Sequence, residues 1–270
     1  MIFADKTVVI TGGSEGVGAA TARLFAEAGA NLLLVARGKK NLEAIAEELR
    51  DVTKVEIFVM DVSDAEACVD LFKKANFEFG RVDILVNNAG FHQRGPVESV
   101  DVEDLGKMVD VNLKAPIILT RTALPYLREA GGGAIINVGS LAGRTPVPNS
   151  ATYAASKAGL RSFTYSLAEE FRDNKIKIAL VSPGPIDTGF IMANIDNTSD
   201  LTFSQPISTA EEVAQAILDL CGNNHREVSM PRISGILTML TYLMPWLGRA
   251  ARPLLERRGA SVKARLKKKM

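Results

Sequence analysis

Short runs of β-branched and aliphatic residues, at roughly 6–11, 31–35, 54–60, 82–86, 133–139, 176–182 and 226–230, alternate along the chain with stretches of helical period. That alternation constrains the fold more than any other feature, because parallel strands need a crossover connection, usually a helix, on a face of the sheet. Leu32-Leu33-Leu34-Val35, Val82 to Val86 and Ile176 to Val181 are almost continuously apolar. A strand reads so when both of its faces are buried. The pattern therefore predicts an α/β protein: a doubly wound parallel sheet of about seven strands with helices on both faces. Its ligand crevice is expected at the carboxyl ends of the strands. Ser63-Asp-Ala-Glu66 and Thr209-Ala-Glu-Glu212 read as capping boxes that open two of the helices.

The chain has 270 residues, 47% of them apolar, enough for one large core. With no Pro/Gly/Ser-rich linker and no repeat at solenoid periods, residues 1–235 read as one domain, including a substrate loop at about 185–208. Residues 236–270 read separately, as an apolar helix and a basic tail. Cys68 and Cys221, with His92 and His225, are too few for a disulfide framework or a His/Cys zinc site, so no metal is expected. The first strand begins within about six residues of Met1, which leaves no room for a leader peptide and makes the cytoplasm the expected location.

Thr11-Gly12-Gly13-Ser14-Glu15-Gly16-Val17-Gly18 follows the first strand and opens a helix running from about Val17 to Gly29. Gly12, Gly16 and Gly18 let the backbone turn sharply and approach a pyrophosphate, whose charge then faces the positive end of the helix dipole. Strand, glycine turn and helix in this order are the context of a Rossmann dinucleotide site, with Ser14 and Val17 inside the turn. Asn87-Asn88-Ala89-Gly90 and Pro183-Gly184 end the fourth and sixth strands at the same edge of the sheet, so Asn88, Ala89, Gly90, Pro183 and Gly184 join the candidate contacts. The second strand ends in Ala36-Arg37 where an NAD site would place an acid. A guanidinium there suits a 2′-phosphate, so NADP(H) is expected in preference to NAD(H), which remains possible. Asp61, followed by Val62 after the third strand, either accepts from the adenine amino group or simply turns the chain into the next helix.

Tyr153-Ala-Ala-Ser-Lys157 places a phenol and an ammonium one turn apart on a helix face, with Asn112 and Ser140 upstream. Taken with Thr11 to Gly18, Asn87 to Gly90 and Pro183-Gly184-Pro185-Ile186-Asp187-Thr188, these motifs resemble the short-chain dehydrogenase/reductase family. The resemblance covers nearly everything from Lys6 to Pro231. It implies that Asn112, Ser140, Tyr153 and Lys157 are catalytic, that Ile186 and Thr188 contact the cofactor, and that Lys157 reaches the nicotinamide ribose. It also implies that Asn112 anchors a water relaying protons to Lys157. Glu15 stands where some NADP-preferring members carry a basic residue.

The implied reaction is the reversible, NADP(H)-dependent reduction of a ketone to a secondary alcohol. A carbonyl receiving hydride becomes an alkoxide and needs a proton, yet a free phenol titrates near about 10. The neighbouring ammonium is expected to draw Tyr153 down towards working pH. The substrate is expected to be a moderately hydrophobic small molecule, such as a 3-oxoacyl, keto-lipid or steroid-like compound. The alternative on the same fold is a non-catalytic dinucleotide sensor or a membrane-peripheral scaffold. A homodimer or homotetramer is expected.

Phe91 to Arg94, Leu141 to Pro148, and Pro185 to about Phe203 are expected to line the substrate pocket, with Arg144 among its polar groups and His92 at its rim. Ile236 to Leu247 is mostly apolar but shorter than the roughly 20 residues that span a bilayer. From Arg249 to Met270 nine basic residues stand against Glu256 alone, whereas the remaining 248 residues carry 23 basic and 30 acidic groups. An apolar helix with Trp246 beside a basic stretch either lies peripherally on an anionic membrane or packs over the pocket or a second subunit. In the second case the lysines are expected to be a solvated end, dispensable for chemistry. No recognition module for a specific nucleic acid accompanies them.

Overall fold

A computed structural model of the chain describes residues 3–187, 195–196 and 198–267. Within these, strands β1 (Thr7–Thr11), β2 (Asn31–Ala36), β3 (Val55–Val59), β4 (Ile84–Asn87), β5 (Gly133–Val138), β6 (Ile176–Pro183) and β7 (Glu227–Met230) form one sheet. Its order is β3-β2-β1-β4-β5-β6-β7, and every neighbouring pair is parallel. Connections leave β1 and β4 in opposite directions, which opens a crevice above their carboxyl ends.

The unbroken apolar runs have the predicted cause. Val8, Ile10, Leu32 and Leu34 pack towards α1 (Gly16–Glu27), α2 (Lys39–Arg50) and α7 (Ala210–Gly222). Their neighbours Val9, Leu33 and Val35 point the other way, towards α3 (Ala65–Phe79), α5 (Ala115–Glu129) and α6 (Ala151–Glu170). All seven are fully buried, so alternation along a strand feeds two separate cores.

Thr209 caps α7 as expected, its hydroxyl accepting from Glu212 N at 3.1 Å while the Glu212 carboxylate takes Thr209 N at 3.0 Å. At α3 the expectation is corrected. Asp64, not Ser63, is the N-cap and accepts from Glu66 N and Ala67 N. Ser63 is taken by Asp61, to whose Oδ1 it donates from both its amide (3.0 Å) and its hydroxyl (2.7 Å). Between α4 (Val102–Val109) and α5 the helix widens into a π turn, Asp110–Lys114, in which Ala115 N donates to Asp110 O. Such widened turns are rare and concentrate at functional sites.

After β7 the chain forms α8 (Arg232–Leu243), which runs through the expected boundary at 235/236, and α9 (Pro245–Lys267). α9 packs on a 3-10 turn at Asp200–Ser204 so closely that a Cβ on Gly259 would lie 1.7 Å from Asp200 O. Phe203 is buried against Ile195, Val262 and Leu266 rather than lining the pocket. Lys263 Nζ donates to Thr198 O at 2.7 Å and Asp196 O at 3.2 Å, and Lys267 pairs with Asp196. These two lysines therefore tether the segment around 196–198, which corrects their reading as a solvated end. The basic charges find acceptors there because that loop brings the Asp196 carboxylate and the carbonyls of Asp196 and Thr198 to the same surface.

Candidate active site

The glycine turn is built for close approach. Gly12 has φ 67° and a Cβ there would lie 2.8 Å from Asn88 Nδ2, while a Cβ on Gly18 would lie 2.0 Å from Gly12 O, so the turn meets the segment after β4 and α1 only because both residues lack side chains. The turn is held from β4: Thr11 Oγ1 donates to Val86 O and accepts from Asn88 N and Ala89 N, while Asn88 Nδ2 donates to Thr11 O (2.9 Å) and Gly12 O (3.2 Å). Glu15, the N-cap of α1, makes no side-chain cap bond, which leaves the first amides of the helix to an anion. The residues thus fit a dinucleotide.

One crevice of about 1470 Å³ runs from this turn across the sheet edge. Gly12, Ser14, Gly16, Val17, Arg37, Asp61, Val62, Asn88, Ala89, Gly90, Pro183, Gly184 and Ile186 all border it. Gly18 does not; it supports the turn from beneath. Thr188 lies outside the described residues, as do Phe190, Ile191 and Met192 of the expected pocket. Arg37 is mostly exposed at the end of β2, with Asp61 Oδ2 3.8 Å away. Asp61 both borders the crevice and accepts from Ser63 at the turn into α3, so it serves either alternative raised by the sequence, and despite burial its hydrogen bonds from Ser63 together with Arg37 hold its carboxyl below the usual value.

The four candidate catalytic residues come together at the far end of the crevice. β5 delivers Ser140, whose hydroxyl accepts from Ala142 N at 3.1 Å at the head of a 3-10 turn (Leu141–Arg144) and also reaches the Tyr153 phenol. α6 delivers Tyr153 and Lys157 on one face, with Lys157 Nζ 5.9 Å from the Tyr153 ring centre. Lys157 is buried and donates to Val138 O at 2.8 Å. Burial pushes its ammonium down to about 8. Tyr153 departs from expectation, because burial outweighs the Ser140 hydrogen bond and the charge of Arg94 and pushes the phenol above its usual value. The Lys157 ammonium, 5.9 Å from the Tyr153 ring centre, does not offset that burial. Asn112 sits in the π turn, fully buried and off the crevice wall. Its amide clamps the backbone of Phe91, accepting from Phe91 N at 2.9 Å and donating to Phe91 O at 2.7 Å and to Ser156 Oγ at 3.3 Å.

Three residues carry more than the sequence showed. Glu227 on β7 accepts from Tyr165 and Ser182, each at 2.6 Å, and pairs with Arg161 and Arg144. Arg144 therefore anchors the turn after Ser140 and is not a pocket group. His92 is no rim residue: its ring stacks on Tyr153 with centres 3.9 Å apart, and its Nε2 lies 3.2 Å from Ser150 Oγ. Burial, with Arg94 and Lys157 nearby, pushes the imidazole down to about 3, so it is neutral. Arg94 borders the crevice beside it. Stacking depends on how the loop after β4 folds back over α6, which periodicity does not encode. From α8, Leu237, Thr238, Thr241 and Tyr242 also line the crevice.

The glycine turn with Ser140, Tyr153 and Lys157 on one crevice wall fits a dinucleotide-dependent oxidoreductase. The chain matches the short chain dehydrogenase family over residues 6–199 and belongs to it. It is 38% identical over 217 residues to sulfoacetaldehyde reductase 2 of Chromohalobacter salexigens, covering 78% of this chain and 86% of that protein. It is 35% identical over 229 residues to cis-4-hydroxycyclohexanecarboxylate dehydrogenase of Sinomonas cyclohexanicum, covering 82% and 91%. The crystal structure of a metagenomic short-chain oxidoreductase in complex with NADP superimposes with a TM-score of 0.73 at 31% identity, covering 85% of this chain and 98% of that one. Among the described residues no group of three His, Cys, Asp or Glu side chains could hold a metal ion.

Proposed function

We propose that the protein is an NADP(H)-dependent carbonyl reductase that converts a moderately hydrophobic ketone to a secondary alcohol, reversibly. The observation that carries this reading is the Tyr153 phenol, held between Ser140, His92 and Lys157 on a wall shared with the glycine turn. When bound, the nicotinamide supplies or accepts hydride. Ser140 then donates to the substrate oxygen and holds it at the phenol, and Tyr153 gives up the proton that the alkoxide takes. The phenol above its usual value is protonated at neutral pH, as reduction requires. Lys157 supplies positive charge as the phenolate forms, and Asn112 fixes Phe91 so that the loop after β4 keeps its place.

Two measurements test this. Tyr153→Phe should bind NADPH as the parent does but lose about 10²-fold or more of turnover on any accepted ketone, the scale of general acid catalysis. Near-normal turnover would exclude the mechanism. Arg37→Ala should weaken NADPH by about 1.5 to 3 kcal/mol, the scale of hydrogen bonds to charged groups, and leave NADH nearly unchanged. Equal losses would make Arg37 structural. The NADP bound by the metagenomic relative supports the cofactor assignment.

We further propose that the protein is cytoplasmic and contacts an anionic membrane peripherally through α8 and α9. The exposed apolar side of α8 supports the membrane contact.

A further inference from the structure

The charges around the crevice are lopsided. The carboxylates that border it, Glu15 and Asp61, both stand at the glycine-turn end. The opposite end is bordered by Arg94 and, from α9, by Arg249, Arg252 and Arg258. Arg94 is half-buried, and among the described residues its guanidinium has neither a hydrogen bond nor an ion pair. Burial pushes it below its usual value, and its charge is felt by both the Tyr153 phenol and the His92 imidazole. Withdrawing a guanidinium from water without a partner is costly, and a ligand anion that completes its hydrogen bonds removes the cost. His92 is neutral and Lys157 Nζ already donates to Val138 O, so among the described residues Arg94 is the cation at this wall with an unpaired planar fork to offer an anion.

We infer that the substrate carries an anionic group, a carboxylate, sulfonate or phosphate, which Arg94 binds beside the reacting carbonyl. The inference rests on the reductase reading for its carbonyl and on Arg94 alone for its anion. The apolar remainder of the substrate lies along Leu141, Val147 and the α8 side of the crevice, where Leu237 and Tyr242 face it.

The test separates anion recognition from chemistry. Octanoate and octanamide, which share a chain and cannot be reduced, are titrated calorimetrically into protein saturated with NADP⁺, so that the cofactor phosphates already occupy their own sites. Octanoate should bind at least about tenfold tighter, the scale of a hydrogen bond to a charged group, and Arg94→Gln should erase most of that ratio. In parallel, 3-oxooctanoate should be reduced with a kcat/KM at least about tenfold above its methyl ester, a preference that Arg94→Gln also erases and Arg94→Lys partly restores. An octanoate to octanamide ratio near one in the parent protein overturns the inference, whether or not the Gln variant folds. So does an Arg94→Gln variant that weakens both probes equally. If neither keto compound is reduced while octanoate binding still depends on Arg94, the anion site stands and the reductase reading fails.

Discussion

Lys157 shows what the site costs the fold. Its value falls from 10.5 to about 8 because the ammonium is buried, a difference of about 3 kcal/mol in favour of the neutral amine. The folded value lies below the unfolded one for a cation, so the unfolded chain binds more protons between about pH 8 and 10.5. The penalty is full below pH 8 and fades as pH rises through that window. Its hydrogen bond to Val138 O returns about 1 kcal/mol. Lys157→Met should therefore abolish most turnover yet raise stability at pH 7 by about 2 kcal/mol, with the gain shrinking towards pH 10. Urea melts of both proteins at pH 7 and pH 10 check this. A variant less stable at pH 7 would show that the buried charge is compensated in the fold.

Among the elements, the sheet was legible because burial on both faces forces unbroken apolar runs, and each expected strand lies within a few residues of its place. Tyr153 and Lys157 were legible as neighbours because four residues make about one helical turn, and the family resemblance pointed to Ser140, which the fold brings to the same phenol. The clasp between α9 and the loop at 195–204 was not legible, because it rests on Gly259, one small residue in a helix otherwise read by charge. Gly259→Leu must push α9 away from Asp200 O and so release Lys263 from Thr198 and Asp196. The α9 wall of the crevice should loosen while the glycine turn, which α9 does not support, stays intact. The expected result is a raised KM for ketone with NADPH affinity unchanged, and faster trypsin cleavage after Lys263. An unaltered KM would mean that the clasp does not shape the pocket.

For the whole molecule the unusual surface is α8, which is packed inside out. Ser234, Gly235 and Thr238 face the protein, while Ile236, Leu237, Met239, Tyr242 and Leu243 are each more than half exposed, with Trp246 beyond them. No charged residue falls between Arg232 and Arg249, and Arg249, Arg252, Arg257 and Arg258 follow on α9. No helix among the described residues is long and apolar enough to cross a membrane. The part of this apolar plane away from the crevice, Ile236, Met239, Leu243 and Trp246, suits the surface of an anionic bilayer, where each basic group near the headgroups contributes about 1 kcal/mol and the indole sits at the interface. The protein should sediment with vesicles containing phosphatidylglycerol and less with phosphatidylcholine alone. Salt should weaken the arginine part, since the Debye length falls from about 30 Å at 0.01 M to about 8 Å at 0.15 M, and leave the apolar part. Replacing Met239 and Leu243 by Glu should remove that residue of binding at high salt while ketone turnover in detergent-free buffer persists, because neither side chain borders the crevice. If the parent protein stays in the supernatant at low salt, and light scattering shows a dimer that the same double substitution dissociates, the plane is a subunit interface and the membrane reading is wrong.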